Sequence, residues 1–292
     1  MTRLLSVLAL FVACRAAPKA SSFNDVIHGE WSAPVEPFNV VGNIYYVGAK
    51  NVASYLIATS DGLILLDTGT KEMVPVVQNN VAKLGFAMKD IKIILSNHAH
   101  YDHVGGHAAI KRTTGARVLV MAEDAPAVEA GKDMSPLGDE GWEPVTVDAK
   151  LRDGETVTLG DTSLVAILAP GHTPGCTVWT TNAREQDKTY VVAFYGCARP
   201  NDSVQLIGNA RFPNLVEQTR ETFRRMRTLA PDIYVTMHPE ELFAGKVESM
   251  RAKTRPHPLD DPKAWPKLLD EVEADFAEHL KRAETHKATP QS

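Results

Sequence analysis

The chain has 292 residues, 44% of them hydrophobic and 23% charged, the ordinary balance of a globular, enzyme-sized protein with a sizeable core. A formal net charge of −5 with no Lys/Arg block leaves no electrostatic footprint for nucleic acid. No 20–50-residue repeat is present, which sets aside solenoids and arrays.

The N-terminus opens with Met1-Thr2-Arg3, the apolar run L-L-S-V-L-A-L-F-V-A-C and the small residues R-A-A-P-K-A-S-S. That order is the layout of a secretory signal peptide, with an apolar core too short to span a bilayer. Residues 1–20 are therefore expected to be the signal, cleaved between Cys14 and Ser21, and 21–292 one domain in the periplasm or outside the cell. Cys14 after F-V-A weakly resembles a lipoprotein box. No later segment approaches the roughly 20 apolar residues of a membrane helix. Cys176 and Cys197 then remain, and an oxidising compartment permits them to pair.

Short β-rich runs follow at 44–49, 53–58 and 62–67, bounded by Gly, Asn or Ser-Asp-Gly turns. Met73, Val76, Val77, Val81 and Leu84 fall on one 3.6-period face closed by Gly85, predicting a helix. I-K-I-I-L (91–95) predicts a buried strand, His107 begins the next helix, and 116–121 is the strand after it. The stretch 131–144, rich in Gly, Pro and acids, is expected to be a surface loop able to cover a cleft. Runs at 155–160 and 163–169 predict a hairpin, as do 177–181 and 190–195. A helix marked by Leu215, Thr219, Phe223, Met226 and Leu229 precedes a strand at 232–237. Trp265, Leu268, Leu269, Val272, Phe276 and Leu280 mark a last helix. Strand clusters with helices between and after them imply two sheets with helices packed outside, a layered α/β domain.

The chemistry concentrates in S-N-H-A-H-Y-D-H-V-G-G-H (96–107), directly after the strand 91–95. Histidines at i and i+2 do not share a helix face but converge from a tight loop. His98 and His100 can therefore grip one metal ion, and Asp102 and His103 a second. Imidazoles with a carboxylate suit Zn²⁺. His172, in A-P-G-H-T-P-G, and His238, in T-M-H-P-E, each follow a predicted strand. Loops at one sheet edge are where such sites are built. A lone histidine after a strand is ordinarily a surface or hydrogen-bonded residue. His28, His257, His279 and His286 are read that way, and His107 is read as structural.

N-H-A-H-Y-D-H resembles the H-x-H-x-D-H signature of the metallo-β-lactamase fold superfamily. L-L-D-T-G (65–69), P-G-H-T-P-G and a late strand ending in His are further shared features. The resemblance runs from about Pro37 to the C-terminal helix and implies a four-layer αββα sandwich of α/β class. P-F-N-V-V-G-N-I-Y-Y-V-G and Q-L-I-G-N-A-R-F-P-N-L are most similar to the third, all-His/Asp-ligand subclass of metallo-β-lactamases.

That resemblance implies two zinc ions, one held by His98, His100 and His172 and the other by Asp102, His103 and His238. Asp102 is also assigned to catalysis, and a hydroxide between the ions is the implied nucleophile on a β-lactam carbonyl. Asp67 is expected behind the ligands as an acceptor, or as the cap of its own turn. Thioesterase members usually place a bridging Asp where this chain has Cys197, and third-subclass β-lactamases place Ser there. Cys197 is thus a candidate substrate contact, an extra ligand, a free thiol or half of a disulfide with Cys176. Arg199 is a candidate for the substrate carboxylate or a solvated loop charge. The expected protein is a monomer that hydrolyses small β-lactam antibiotics and confers resistance. The alternatives are a lactone or thioester hydrolase of this fold and a periplasmic zinc-binding protein without turnover.

Overall fold

The computed structural model describes residues 29, 31–135, 141–196 and 199–288, the last three for their backbone alone. The expected signal peptide, Cys14, His28 and Cys197 lie outside the described residues. Two sheets form the centre. The first runs β1 (Phe38–Val41), β2 (Ile44–Tyr46), β3 (Tyr55–Thr59), β4 (Gly62–Leu66), β5 (Ile91–Leu95), β6 (Arg117–Met121) and β7 (Ala149–Leu151), in that order. Its β1–β4 part is antiparallel, and β4 to β7 pair in parallel. The second has the order β12 (Ile233–Thr236), β11 (Lys188–Tyr195), β10 (Thr177–Glu185), β9 (Thr162–Leu168), β8 (Thr156–Leu159). Only its β11–β12 pairing is parallel.

Strand composition explains the layering. Along β4, Ile64 and Leu66 join the core shared by the two sheets, while Leu63 and Leu65 join the core under the helices. A strand buried on both faces is apolar throughout rather than alternating. On β11, Tyr190, Val192 and Phe194 point between the sheets, and Ala193 and Tyr195 point outward. The helices Val74–Lys83 and His107–Thr114 cover the first sheet through Val77, Val81 and Ile110. The helices Leu215–Met226 and Ala264–Ala288 cover the second through Phe223, Met226, Trp265 and Phe276. The result is the αββα sandwich expected from the sequence. Among the described residues no helix is long and apolar enough to cross a membrane.

Several details differ from the sequence reading. Strands β1 and β7 have no counterpart in it: β1 carries an irregular register between Asn39 and Val41, and β7 is three residues paired only in parallel with β6. For β1 the signal lies in the two-residue Gly42-Asn43 turn that closes its hairpin with β2, whereas β7 leaves neither a periodic run nor a hairpin turn. The 131–144 stretch is more than a surface loop, since Asp133, Ser135 and Trp142 are buried and Lys132 bridges Gly141. Residues 136–140 lie outside the described set.

Trp179 on β10 fixes the two sheets to each other near the functional edge. It is fully buried in the shared core, and its indole Nε1 donates to the Ser96 carbonyl at 3.0 Å, at the end of β5. Trp179→Ala should cost about 3–5 kcal/mol from lost packing. Trp179→Phe keeps most of the apolar volume but removes the donor and should cost about 1–3 kcal/mol. Urea unfolding of both variants checks the order.

Candidate metal centre

The ends of β5, β9 and β12 deliver the candidate ligands, and the end of β4 the carboxylate behind one of them. β4 ends at Leu66, and Asp67 turns the chain with φ of 57°. That left-handed conformation is unusual for a residue with a Cβ, and such strain tends to sit at functional sites. It places one carboxylate oxygen 2.7 Å from the Asn97 backbone N–H, which donates to it, and the other 3.0 Å from His103 Nδ1. Asp67 is therefore both the cap of the β4–β5 edge and an acceptor behind His103. After β5 the chain runs through His98 and His100 into a short helix, Tyr101–Val104, that carries Asp102 and His103.

The six residues form two groups. His98, His100 and His172 make one, Asp102, His103 and His238 the other, and within each the ligand atoms lie within 4.8 Å of one another. The groups adjoin, with the His98 and His103 rings 4.1 Å apart. Each ring is held from behind: His98 Nδ1 by the Asn97 side-chain oxygen at 2.9 Å, and His100 Nε2 by Ser135 Oγ at 2.8 Å. His172 Nδ1 meets the Arg199 carbonyl at 3.2 Å, and His238 Nδ1 the Asn51 carbonyl at 2.8 Å. Anchoring one ring nitrogen aims the other and sets the tautomer.

The residues fit a metal. His98 Nε2 is buried and has no hydrogen-bond partner, a state that proteins rarely leave uncompensated. Burial pushes the pKa of His98 and His172 well below the usual imidazole value and that of His100 down to about 4. Those rings are neutral at physiological pH and present bare lone pairs, the form a metal requires. In His103, burial is outweighed by Asp102 and Asp67, which raise its pKa to about 10. Asp102 Oδ2 stands 3.2 Å from His103 Nε2 and 3.4 Å from His238 Nε2. Two carboxylates around one imidazole make this second group a place where a cation is favoured.

Comparison with known proteins now decides the family, for residues 47–238 match the profile of the metallo-beta-lactamase superfamily. The chain belongs to that superfamily. It is similar over 88% of its length to BJP-1, a subclass B3 metallo-beta-lactamase of Bradyrhizobium japonicum, with 35% identity, a TM-score of 0.80 and 98% of that chain covered. A class B3 di-zinc metallo-beta-lactamase, LRA-12, from an Alaskan soil metagenome gives 31% identity and a TM-score of 0.77, covering 86% of this chain and 97% of that one. A hydroxyacylglutathione hydrolase of Rhodopseudomonas palustris is 29% identical over 124 residues, 42% of this chain and 41% of that protein. The chain thus spans about two fifths of the length of the curated relatives it matches.

Of the other residues singled out in the sequence, Arg199 lines a cleft of about 260 Å³ together with His172, Tyr195 and Gly196. Its guanidinium is engaged by Asp202 at 2.8 Å and Asp275 at 3.7 Å. Cys176 is buried and disulfide-bonded, and the chain's other cysteines, Cys14 and Cys197, lie outside the described residues. Sequence reasoning missed Asn97, Asn51, Ser135 and Asp124, which hold ligand rings or ligand loops. Asn97 and Asp124 closely follow strands, as Asp67 does, so the strand-end rule applied to the histidines would have reached them.

His107 belongs to the packing behind the superfamily site. Fully buried, it lies between Thr68 Oγ1 and Ser96 Oγ, each 2.7 Å from a ring nitrogen. Burial pushes its pKa down to about 3, so the folded state cannot take a proton that the unfolded chain accepts near the ordinary imidazole value of 6.5. Its contribution to stability is therefore lost as pH falls from that value toward about 3, by roughly 1.4 kcal/mol per pH unit. His107→Gln should flatten this part of the pH dependence, as measured by urea unfolding at pH values across that window.

Proposed function

We propose that the protein is an exported zinc β-lactamase that opens the β-lactam amide of antibiotics. The carrying observation is the extent of the likeness to BJP-1, 98% of whose chain is matched at 35% identity. His98, His100 and His172 would hold one zinc ion and Asp102, His103 and His238 another. Bound there, zinc would supply Lewis acidity and lower the pKa of water toward neutrality.

The chain's own residues supply the rest. Neutral His98, His100 and His172 offer lone pairs at no protonation cost. Burial raises the Asp102 carboxyl, but His103, His238 and His100 together outweigh it and hold the group well below the usual carboxylate range. Asp102 is therefore ionised wherever the enzyme works. The cleft beside His172 gives a small molecule a way in, and Arg199, which also lines it, offers a cation to a substrate carboxylate, weakened by its two acidic partners. The basic, apolar and small-residue order of the N-terminus supports export to the periplasm or beyond.

Thioester hydrolysis is the second reading, favoured by the curated relatives named hydroxyacylglutathione hydrolase. Against it, the sequence after β11 reads G-C-A-R, without the Asp expected of thioesterase members. Purified protein should hydrolyse a penicillin, a cephalosporin or a carbapenem, lose that activity to a chelator and regain it with zinc. His172→Ala should lower kcat/KM by about a hundredfold or more, beyond what residues behind the ligands cost. Turnover of a hydroxyacylglutathione thioester or an acyl-homoserine lactone, with no β-lactam cleaved, would replace this reading with the rival one.

A further inference from the structure

Asp67 and Asp124 are two buried carboxylates at the same sheet edge, after β4 and β6. Asp67 directly anchors the second ligand group through His103. Asp124 touches no ligand ring, yet its partners all lie in the two loops that carry the first group, two of them next to a ligand. Its Oδ2 accepts from the Ala99 backbone N–H at 2.9 Å, between His98 and His100, and from Thr173 Oγ1 at 2.7 Å, next to His172. Its Oδ1 accepts from the Gly175 N–H at 2.7 Å, on the far side of the same turn. Among the described residues no Lys or Arg pairs with it, so three neutral donors alone compensate its burial.

Two features make this a built junction. Three converging donors suit a carboxylate, whose two oxygens only accept, whereas an amide of the same size would turn an N–H toward one of them. The approach also requires a glycine, because a Cβ at Gly175 would lie 2.5 Å from the Asp124 nitrogen and 2.7 Å from its carboxyl carbon. His98 and His100 come from the loop after β5, and His172 from the turn after β9 in the other sheet. Asp124 is the carboxylate that ties these two segments to one point.

We propose that Asp124 is the positioning residue of the His98–His100–His172 group: it sets the spacing between the two loops, and hence the metal affinity of that group, leaving the Asp102–His103–His238 group alone. This rests on the reading that both groups bind metal. The test is a zinc titration of chelator-stripped protein against a chromophoric competitor, with Co²⁺ absorption alongside and circular dichroism to verify folding. Wild type should take up two ions. Asp124→Asn should weaken one of them by about tenfold or more and leave the other within about twofold.

The loss should persist in a His238→Ala background and vanish in a His172→Ala background, where that group is already broken. Thr173→Val, which removes a single donor, should shift the same ion by less, and Thr173→Ser should restore it; this pair serves if Asp124→Asn does not fold. Two ions held by Asp124→Asn with wild-type affinity, or equal weakening of both in folded protein, would overturn the proposal. So would wild-type affinity in Thr173→Val. Failure of the wild type to take up any metal would overturn the functional reading together with it.

Discussion

Packing five imidazoles at one sheet edge, some with ring centroids under 5 Å apart, is tolerable only if most of them stay neutral, because buried like charges repel in a low dielectric. The fold meets this condition by burial, which keeps His98, His100 and His172 unprotonated. It then places its carboxylates selectively. Asp67 and Asp102 both approach His103, and Asp102 also reaches His238, so the carboxylates stand with the second group while the first is made of neutral imidazoles. The remaining architecture serves to hold that division, and the strained backbone of Asp67 is one consequence of it.

The division depends on side chains approaching backbone more closely than a Cβ would permit. A Cβ at Gly196 would overlap the Asn97 amide, which orients His98 and donates to the Thr177 carbonyl at 2.6 Å. Gly175 serves Asp124 in the same way. Glycines at these two points let the second sheet close against the loop of the first. The candidate ligand nitrogens of His98 and His172 thereby come together from segments more than seventy residues apart in the chain.

The two kinds of likeness point to different substrates because the ligand set is a property of the superfamily, whereas substrate choice lies in the cleft walls. The family profile matches residues 47–238, and the thioesterase relative is matched over 124 residues only. The match to solved structures extends over 86–88% of the chain. Here those walls include the β11 end and the Arg199 loop, while Ser135 reaches His100 from the segment after the Ala125–Ala130 helix. Fold-level likeness alone says little about such surfaces.

Much of this protein is legible in its amino-acid sequence alone. Both sheets, the four long helices and all six candidate ligands follow from periodicity, turn residues and the H-x-H-x-D-H spacing, because each is a local pattern read over a few residues. Strand β7 is not legible, since it is three residues long and defined only by its parallel partner, while β1 can be read from the Gly42-Asn43 turn that joins it to β2. The junctions at Asp124, Asn97 and Asn51 are also hidden. Apart from the contact of Asn97 with its neighbour His98, the bonds that define them span 25 to 187 positions along the chain. A carboxylate after a strand looks the same in sequence whether it faces water or a ligand loop, and only packing of the two sheets decides which.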